Sequence, residues 1–294
     1  DNGFNSFHFS FSGGEPTFHP GYNDLLRHLA DDIDNTNFTS IHMTSNCSRK
    51  LKWFQEYTEI AKAFHRASIT ASLHTEHVNT PEKMQDFADK LIHCQENDVQ
   101  VTINMVMVPD IFEKSYDNAL FFHEQGINVT LKPQSDPTAS WVVSGYTDEQ
   151  MKLLHNGMPQ RAYTEEKRVW ADRPKPNLRK LPSTSPDTGE KIPPHFQVEF
   201  EDKRGKKWYM DQAERFNAFN FNKFKGWNCN AGYQGIIIRE PDGNIKRSYS
   251  CRDEPLGHIE TGFTLFKDPA PCITDSCVSS ADSKIPKVKN ENYM

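Results

Sequence analysis

The chain has 294 residues, with 36% hydrophobic and 25% charged side chains, a composition that fits one large folded domain with a small second one. Its formal net charge of −6 excludes a global electrostatic pull toward nucleic acid or an anionic membrane surface. No apolar run approaches the roughly 20 residues of a membrane span. Neither nucleic acid nor membrane is therefore expected as a partner, and a cytoplasmic location is expected. The chain opens on Asp1 rather than Met and passes straight into strand-like sequence. It is expected to be a piece of a longer protein, so a missing signal peptide carries no information.

Strand-like runs occupy 4–12, 38–45, 68–75, 99–108 and 127–133. They recur at about thirty residues, the length of a βα unit. Helical patterns lie between them. Tyr22, Leu25, Leu26 and Leu29 share one helix face, as do Trp53, Tyr57, Ile60, Ala61 and Phe64. Met84, Phe87, Ala88, Leu91 and Ile92 form a third stripe, with Thr80 as N-cap and Pro81 in the first turn. A fourth helix through Tyr116, Ala119 and Leu120 stops at Gly126. This alternation predicts a parallel sheet with helices packed outside it. Apart from the nucleotide-type folds, a full or partial barrel is the solution.

After Pro133 the rhythm breaks. Thr147-Asp-Glu-Gln150 reads as a capping box that starts one more helix. Residues 156–194 are rich in Pro, Lys, Arg and Ser without a period, and read as a long loop or insertion. Segments 196–200 and 207–210 flank Asp202-Lys-Arg-Gly205 and predict a hairpin. A second hairpin runs through 235–239, the turn Pro241-Asp-Gly243 and 244–249, bracketed by Cys229 and Cys251. The tail from Ser279 is polar and expected to be loose. The expected division is a barrel over 1–155, an insertion or linker with a hairpin over 156–225, and a small cysteine-bearing domain with its tail over 226–294.

Two motifs carry chemistry. Ser12-Gly-Gly-Glu-Pro16 follows the first strand and precedes a helix. Glycines at a strand end let a ligand approach the backbone with no Cβ in the way. Together with the Glu15 carboxylate, the sheet-edge carbonyls make an acceptor-rich spot that suits an ammonium group, and Pro16 turns the chain toward the helix. The same residues also fit a plain βα turn. The second motif is the crowding of Cys229, Cys251, Cys272 and Cys277 into the C-terminal quarter, while Cys47 and Cys94 lie apart and read as buried small apolar residues. A chain of this size needs no disulfides to build a core. The four cysteines therefore read first as a metal or iron–sulfur site, with two disulfides as the alternative. Four soft thiolates suit an iron–sulfur cluster or Zn²⁺.

The segment FSGGEPTFHP at 11–20 resembles the radical S-adenosylmethionine superfamily, where Gly-Gly-Glu-Pro at the end of the second strand holds the amino group of the methionine moiety. Ile41-His-Met-Thr-Ser-Asn46, Ala71-Ser-Leu-His74 and Ile103-Asn-Met-Val106 resemble its third, fourth and fifth strands, in order and at barrel spacing. The resemblance covers nearly the whole chain. It implies a partial (β/α)6 barrel whose first strand is missing, an α/β fold with a small β-rich, cysteine-containing C-terminal domain. It also implies that Gly13, Gly14 and Glu15, with Pro16 beside them, bind the methionine end of S-adenosylmethionine. Ser72, His74 and Asn104 would reach its carboxylate or ribose. Lys132, at the last strand end, either faces substrate or snorkels to the surface. No catalytic residue is assigned.

Cys229-Asn-Ala-Gly232, the Gly243 hairpin and Cys251 resemble the SPASM and twitch domains, which hold auxiliary [4Fe–4S] clusters. By that resemblance Cys229, Cys251, Cys272 and Cys277 ligate a single cluster, although the gap from Gly243 to Cys251 exceeds the family's usual spacing. The superfamily's first cluster sits on a Cys-x3-Cys-x2-Cys loop. No such triplet occurs here, and it is expected upstream of Asp1, which would leave this chain inactive alone. The implied activity is reductive cleavage of S-adenosylmethionine to a 5′-deoxyadenosyl radical that takes hydrogen from a substrate, with a peptide as the family-level substrate class. Flavodoxin or ferredoxin would be the electron donor, and the auxiliary cluster would pass electrons or anchor substrate. Two alternatives stay open: a catalytically inactive barrel or binding protein with a structural four-cysteine zinc site, and an unrelated α/β enzyme with a zinc-ribbon-like tail.

Overall fold

A computed structural model of the chain describes residues 6–32, 38–137, 142–156, 198–201, 207–210, 223–239, 242–251, 254–283 and 285–289. The loop expected at 156–194 lies outside these residues except for Asn156, which ends a helix. The chain divides into two compact units, 1–134 with 145–194, and 135–144 with 195–294. The hairpin expected in a linker thus belongs to the second unit, as does the short segment 135–144.

In the first unit strands and helices alternate as β1 Ser6–Phe11, α1 Tyr22–Asp31, β2 Phe38–Ser45, α2 Leu51–Ala61, β3 Arg66–Ser72, α3 Pro81–Glu96, β4 Val99–Met107, α4 Phe112–Glu124, β5 Asn128–Pro133 and α5 Asp148–Asn156. The strands form one five-stranded sheet in the order β1-β2-β3-β4-β5, parallel throughout. The local signals behave as their chemistry dictates. Thr80 Oγ1 accepts from Lys83 N at 3.4 Å, with Pro81 at the first helical position. Thr147 and Gln150 cap each other reciprocally, at 3.1 and 3.2 Å. The third strand stops at Ser72, short of the predicted Thr75, because His74 O takes the amides of His77 and Val78 and turns the chain.

The winding decides the architecture. The strand order never reverses, and right-handed crossovers then place every connecting helix on the same face. A doubly wound sheet would instead reverse at a switch point. The strands carry the matching pattern. Ala67, Ile69 and Ala71 of β3 and Val99, Val101, Ile103, Met105 and Met107 of β4 are buried in one core with Leu26, Phe54, Tyr57, Phe87, Leu91 and Phe122 from the helices. The alternate positions are polar and mostly half-buried: Arg66, Ser68, Thr70 and Ser72, then Gln100, Thr102 and Asn104. Parallel strands covered on both faces read as continuous apolar runs; these alternate with period two, so one face packs on helices and the other is polar. Such an α/β sheet is compatible with a partial α/β barrel.

Register sets the polar face in rows. Ser10, His42, Ser68 and Gln100 are neighbours across the strands, as are Thr44, Thr70, Thr102 and Asn128, and then Ser72, Asn104 and Thr130. Side chains of this face bond across strands. His42 Nδ1 lies 2.9 Å from Ser68 Oγ, Arg66 Nε donates to Gln100 Oε1 at 2.8 Å, and Asn128 Nδ2 donates to Thr102 Oγ1 at 3.0 Å.

The second unit is built from short antiparallel pieces. Strands β6 Val198–Glu201 and β7 Lys207–Met210 pair as the predicted first hairpin. Strands β8 Asn228–Cys229, β9 Ile237–Ile238, β10 Asn244–Lys246, β11 Gly257–His258, β12 Gly262–Phe263, β13 Ala270–Pro271 and β14 Lys287–Val288 make two sheets, β12-β11-β10-β9 and β13-β8-β14. A short helix α6 spans Ser280–Ser283. Among the described residues no helix is long and apolar enough to cross a membrane.

Leu91 is fully buried, so Leu91→Ala is expected to lower denaturant-measured stability by about 2–5 kcal/mol. Thr80→Ala, which loses only a cap, is expected to cost about 1 kcal/mol. Equal losses would contradict the placement of α3 on the core face.

Candidate functional site

The Gly-Gly-Glu turn sits at the C-terminal end of β1. Gly13 and Gly14 adopt φ of +91° and +53°, a region costly for side-chain-bearing residues. Among the described residues, a Cβ built on either would meet nothing within 4 Å. The glycines are therefore required by backbone shape, and the space beside them is open. Glu15 returns to extended backbone and caps the single 3-10 turn Pro16–Phe18.

The Glu15 carboxylate is the pin of this corner. Its Oε1 accepts from Thr17 N at 3.2 Å, Thr17 Oγ1 at 2.7 Å and Ser45 Oγ at 2.8 Å, and its Oε2 accepts from Asn46 N at 2.6 Å. Thr17 and Ser45 are buried. A carboxylate offers about four acceptor positions. Oε1 is filled, whereas Oε2 keeps one position open among the described residues. Arg49 reinforces the corner, with Nε donating to Thr17 O at 2.8 Å and the guanidinium 5.2 Å from the Phe18 ring centroid. Burial, and then the Glu15 charge, push the Tyr22 phenol upward. Burial pushes the Cys47 thiol up to about 12, which fits an inert core cysteine.

Ser72 and Asn104 are register partners on the polar face, and Leu73 N donates to Asn104 O at 3.2 Å. Lys132 lies opposite Val106 on β5 and is half-buried. His74 is exposed, its Nδ1 3.6 Å from Glu76 Oε1 and its ring 6.5 Å from that of His77. The structure thus joins Glu15 to the end of β2, and Ser72 to Asn104. Among the described residues no hydrogen bond links these two groups, or His74 to either. Sequence reasoning missed Thr17, Ser45 and Arg49. Thr17, two residues past a capping acid, carried a readable signal; the other two act across long sequence separations and carried none.

The four C-terminal cysteines are all buried, and no disulfide joins any cysteine of the chain. Cys229, Cys272 and Cys277 share a small apolar cluster with Phe224 and Ala231. Strand β8 places Cys229 opposite Ala270 on one side and Lys287 on the other. Cys272 N donates to Trp227 O at 2.7 Å. Cys251 stands beside this group through serines. Ser248 Oγ lies 3.2 Å from Cys251 Sγ, and Ser250 Oγ accepts from Val278 N and Ser279 N at 3.2 and 3.3 Å, just past Cys277. The long gap between Gly243 and Cys251 is thus occupied by residues that fasten one cysteine loop to another. The hydrogen bond with Cys277, more than any other influence, pulls the Cys272 thiol down to about 5; the same bond and burial push Cys277 upward. Among the described residues no three His, Cys, Asp or Glu side chains stand as a ready metal shell. The donor type, buried thiols with Cys229, Cys272 and Cys277 in one cluster and Cys251 tied nearby through Ser248 and Ser250, is the type that suits a soft metal.

No protein-family model matches the chain, and no curated protein matches it at a significant level. The functional reading therefore rests on the geometry and on the motifs.

Glu15→Ala would leave the buried donors of Thr17 and Ser45 without their acceptor, and is expected to destabilise the fold by about 2–3 kcal/mol. His74→Ala should stay within about 0.5 kcal/mol. Thermal and denaturant unfolding of both variants checks the contrast.

Proposed function

We propose that this chain works as part of a radical S-adenosylmethionine enzyme, with a partial (β/α)6 barrel that binds the cofactor at the C-terminal sheet edge and an auxiliary [4Fe–4S] centre on its C-terminal cysteines. The observation that carries this reading is the Gly13-Gly14-Glu15 turn, with both glycines at positive φ beside open space, at the C-terminal edge of a parallel sheet wound in one direction. Ligand sites of parallel α/β sheets form at that edge.

Within this reading the carbonyls of the glycine turn and the open position on Glu15 Oε2 accept the ammonium of the methionine end. Ser72 and Asn104, paired on the polar face, offer hydroxyl and amide groups to its carboxylate or ribose. The polar rows below them supply partners for a polar substrate, for which a peptide is the proposed class. When bound, the cofactor with its reducing cluster supplies one-electron hydrogen abstraction, which no side chain of the chain can supply by itself. Cys229, Cys251, Cys272 and Cys277 would hold the auxiliary centre, as four thiolates suit a soft metal or cluster. A flavodoxin or ferredoxin is the proposed donor.

A second reading has its own observation. Glu15 is already held by protein donors, so the turn is structurally self-sufficient. This favours a non-catalytic barrel with a structural zinc on the same cysteines. Anaerobic reconstitution separates the two. The first reading predicts about four irons and four sulfides per chain, both lost in Cys229→Ala. Stoichiometric zinc without acid-labile sulfide would overturn it and support the second.

A further inference from the structure

We propose that Arg247 is the positioning residue of the cysteine site. Its guanidinium clamps the cysteine-bearing segments together, and Gly232 of the Cys229-Asn-Ala-Gly232 motif is there to let it pass. This inference rests on reading the four cysteines as ligands of one centre.

Arg247 follows β10 and is 3% exposed. Its Nε donates to Ala231 O at 3.1 Å, Nη1 to Pro271 O at 3.3 Å and Nη2 to Ala270 O at 3.3 Å. Ala231 lies in the turn that begins at Cys229, and Pro271 directly precedes Cys272. Cys251 is on Arg247's own segment, and the intervening Ser248 contacts its sulfur at 3.2 Å. A single planar group thus ties together the backbone around Cys229, the backbone before Cys272, and the run leading to Cys251. Cys277 is tied in turn, because Ser250 bonds the amides that follow it. The five-donor fork of arginine can hold three carbonyls in fixed directions; a lysine ammonium on a flexible stem cannot.

The glycine of the motif then has a mechanical reason. Gly232 has φ of +85°, and a Cβ there would lie 2.8 Å from Arg247 Cγ and 3.0 Å from Phe266 Cδ2. The Phe266 ring lies 5.1 Å from the guanidinium carbon, and Phe266 N donates to Gly232 O at 2.8 Å. The arginine stem crosses directly over the glycine, so a side chain at 232 would push the guanidinium off its carbonyls. Residues that orient metal ligands from outside the ligand set typically change affinity by roughly 10–100-fold when removed.

Anaerobic Co²⁺ titration of the metal-free full chain tests the proposal, because thiolate-to-cobalt absorption reports both affinity and ligand geometry. Arg247→Met and Arg247→Lys both keep the stem over Gly232, and both are expected to bind Co²⁺ roughly 10–100-fold more weakly, with altered d–d bands. Arg239→Met, at an exposed position of the same unit, should match the unmodified chain. A purely structural role for Arg247 would lower the thermal midpoint of the metal-free chain and leave the cobalt spectrum unchanged; unchanged affinity and bands in Arg247→Met overturn the proposal. Should Arg247→Met fail to fold, Arg247→Lys decides alone by the same criterion. An unmodified chain without thiolate–cobalt absorption would instead overturn the four-cysteine reading itself.

Discussion

A parallel sheet whose strands are apolar on one face only must leave its other face to polar partners. That constraint organises the first unit. The helices bury Ile69, Ile103, Met105 and their neighbours on one side, and this burial supplies the main stabilisation. The remaining positions form rows of hydroxyl, amide, imidazole and guanidinium groups that bond sideways, as His42 does with Ser68 and Asn128 with Thr102. Val106, opposite Lys132, is an exposed apolar residue on this otherwise polar face of β4. Because all five strands are parallel, their C-terminal ends lie along one edge of the sheet, where the glycine turn stands.

Two charged side chains do comparable work in the two units. Glu15 gathers donors from the turn after β1 and from the end of β2. Arg247 gathers acceptors from the segments around Cys229 and before Cys272. In both cases a buried or half-buried charge is stabilised by hydrogen bonds to polar groups of the protein. Each also joins backbone segments that lie far apart in the sequence. In the first unit the adjacent glycines face open space among the described residues; in the second, Cys229, Cys272 and Cys277 share one buried cluster and Cys251 is buried beside Ser248.

Much of the fold was legible because it follows local rules. Strand β2 spans Phe38–Ser45 as its pattern predicts, and the Thr80 and Thr147 caps form as their chemistry requires. The end of β3 was not legible, since it depends on a turn closed at His74 O. The second hairpin is shorter than its pattern. Its ladder keeps Ile237–Ile238 and Asn244–Lys246, and the next residue, Arg247, is drawn into bonds with distant carbonyls. The same distinction separates the site residues. Gly13, Gly14, Glu15 and the cysteines announce themselves by type and spacing. The partners that place them do not: Ser45 meets Glu15 across 30 positions, Arg49 meets Thr17 across 32, and Arg247 meets Pro271 across 24. Pairings of that range arise from the fold and leave no periodic trace.

The central claim is that the Gly13–Glu15 edge receives the ammonium of S-adenosylmethionine. Isothermal titration of the anaerobically reconstituted chain with S-adenosylmethionine, and with an analogue lacking only the amino group, addresses it directly. Loss of the charged hydrogen bonds should weaken the analogue by roughly 10–100-fold. Equal affinity for the two compounds would contradict ammonium recognition at this edge.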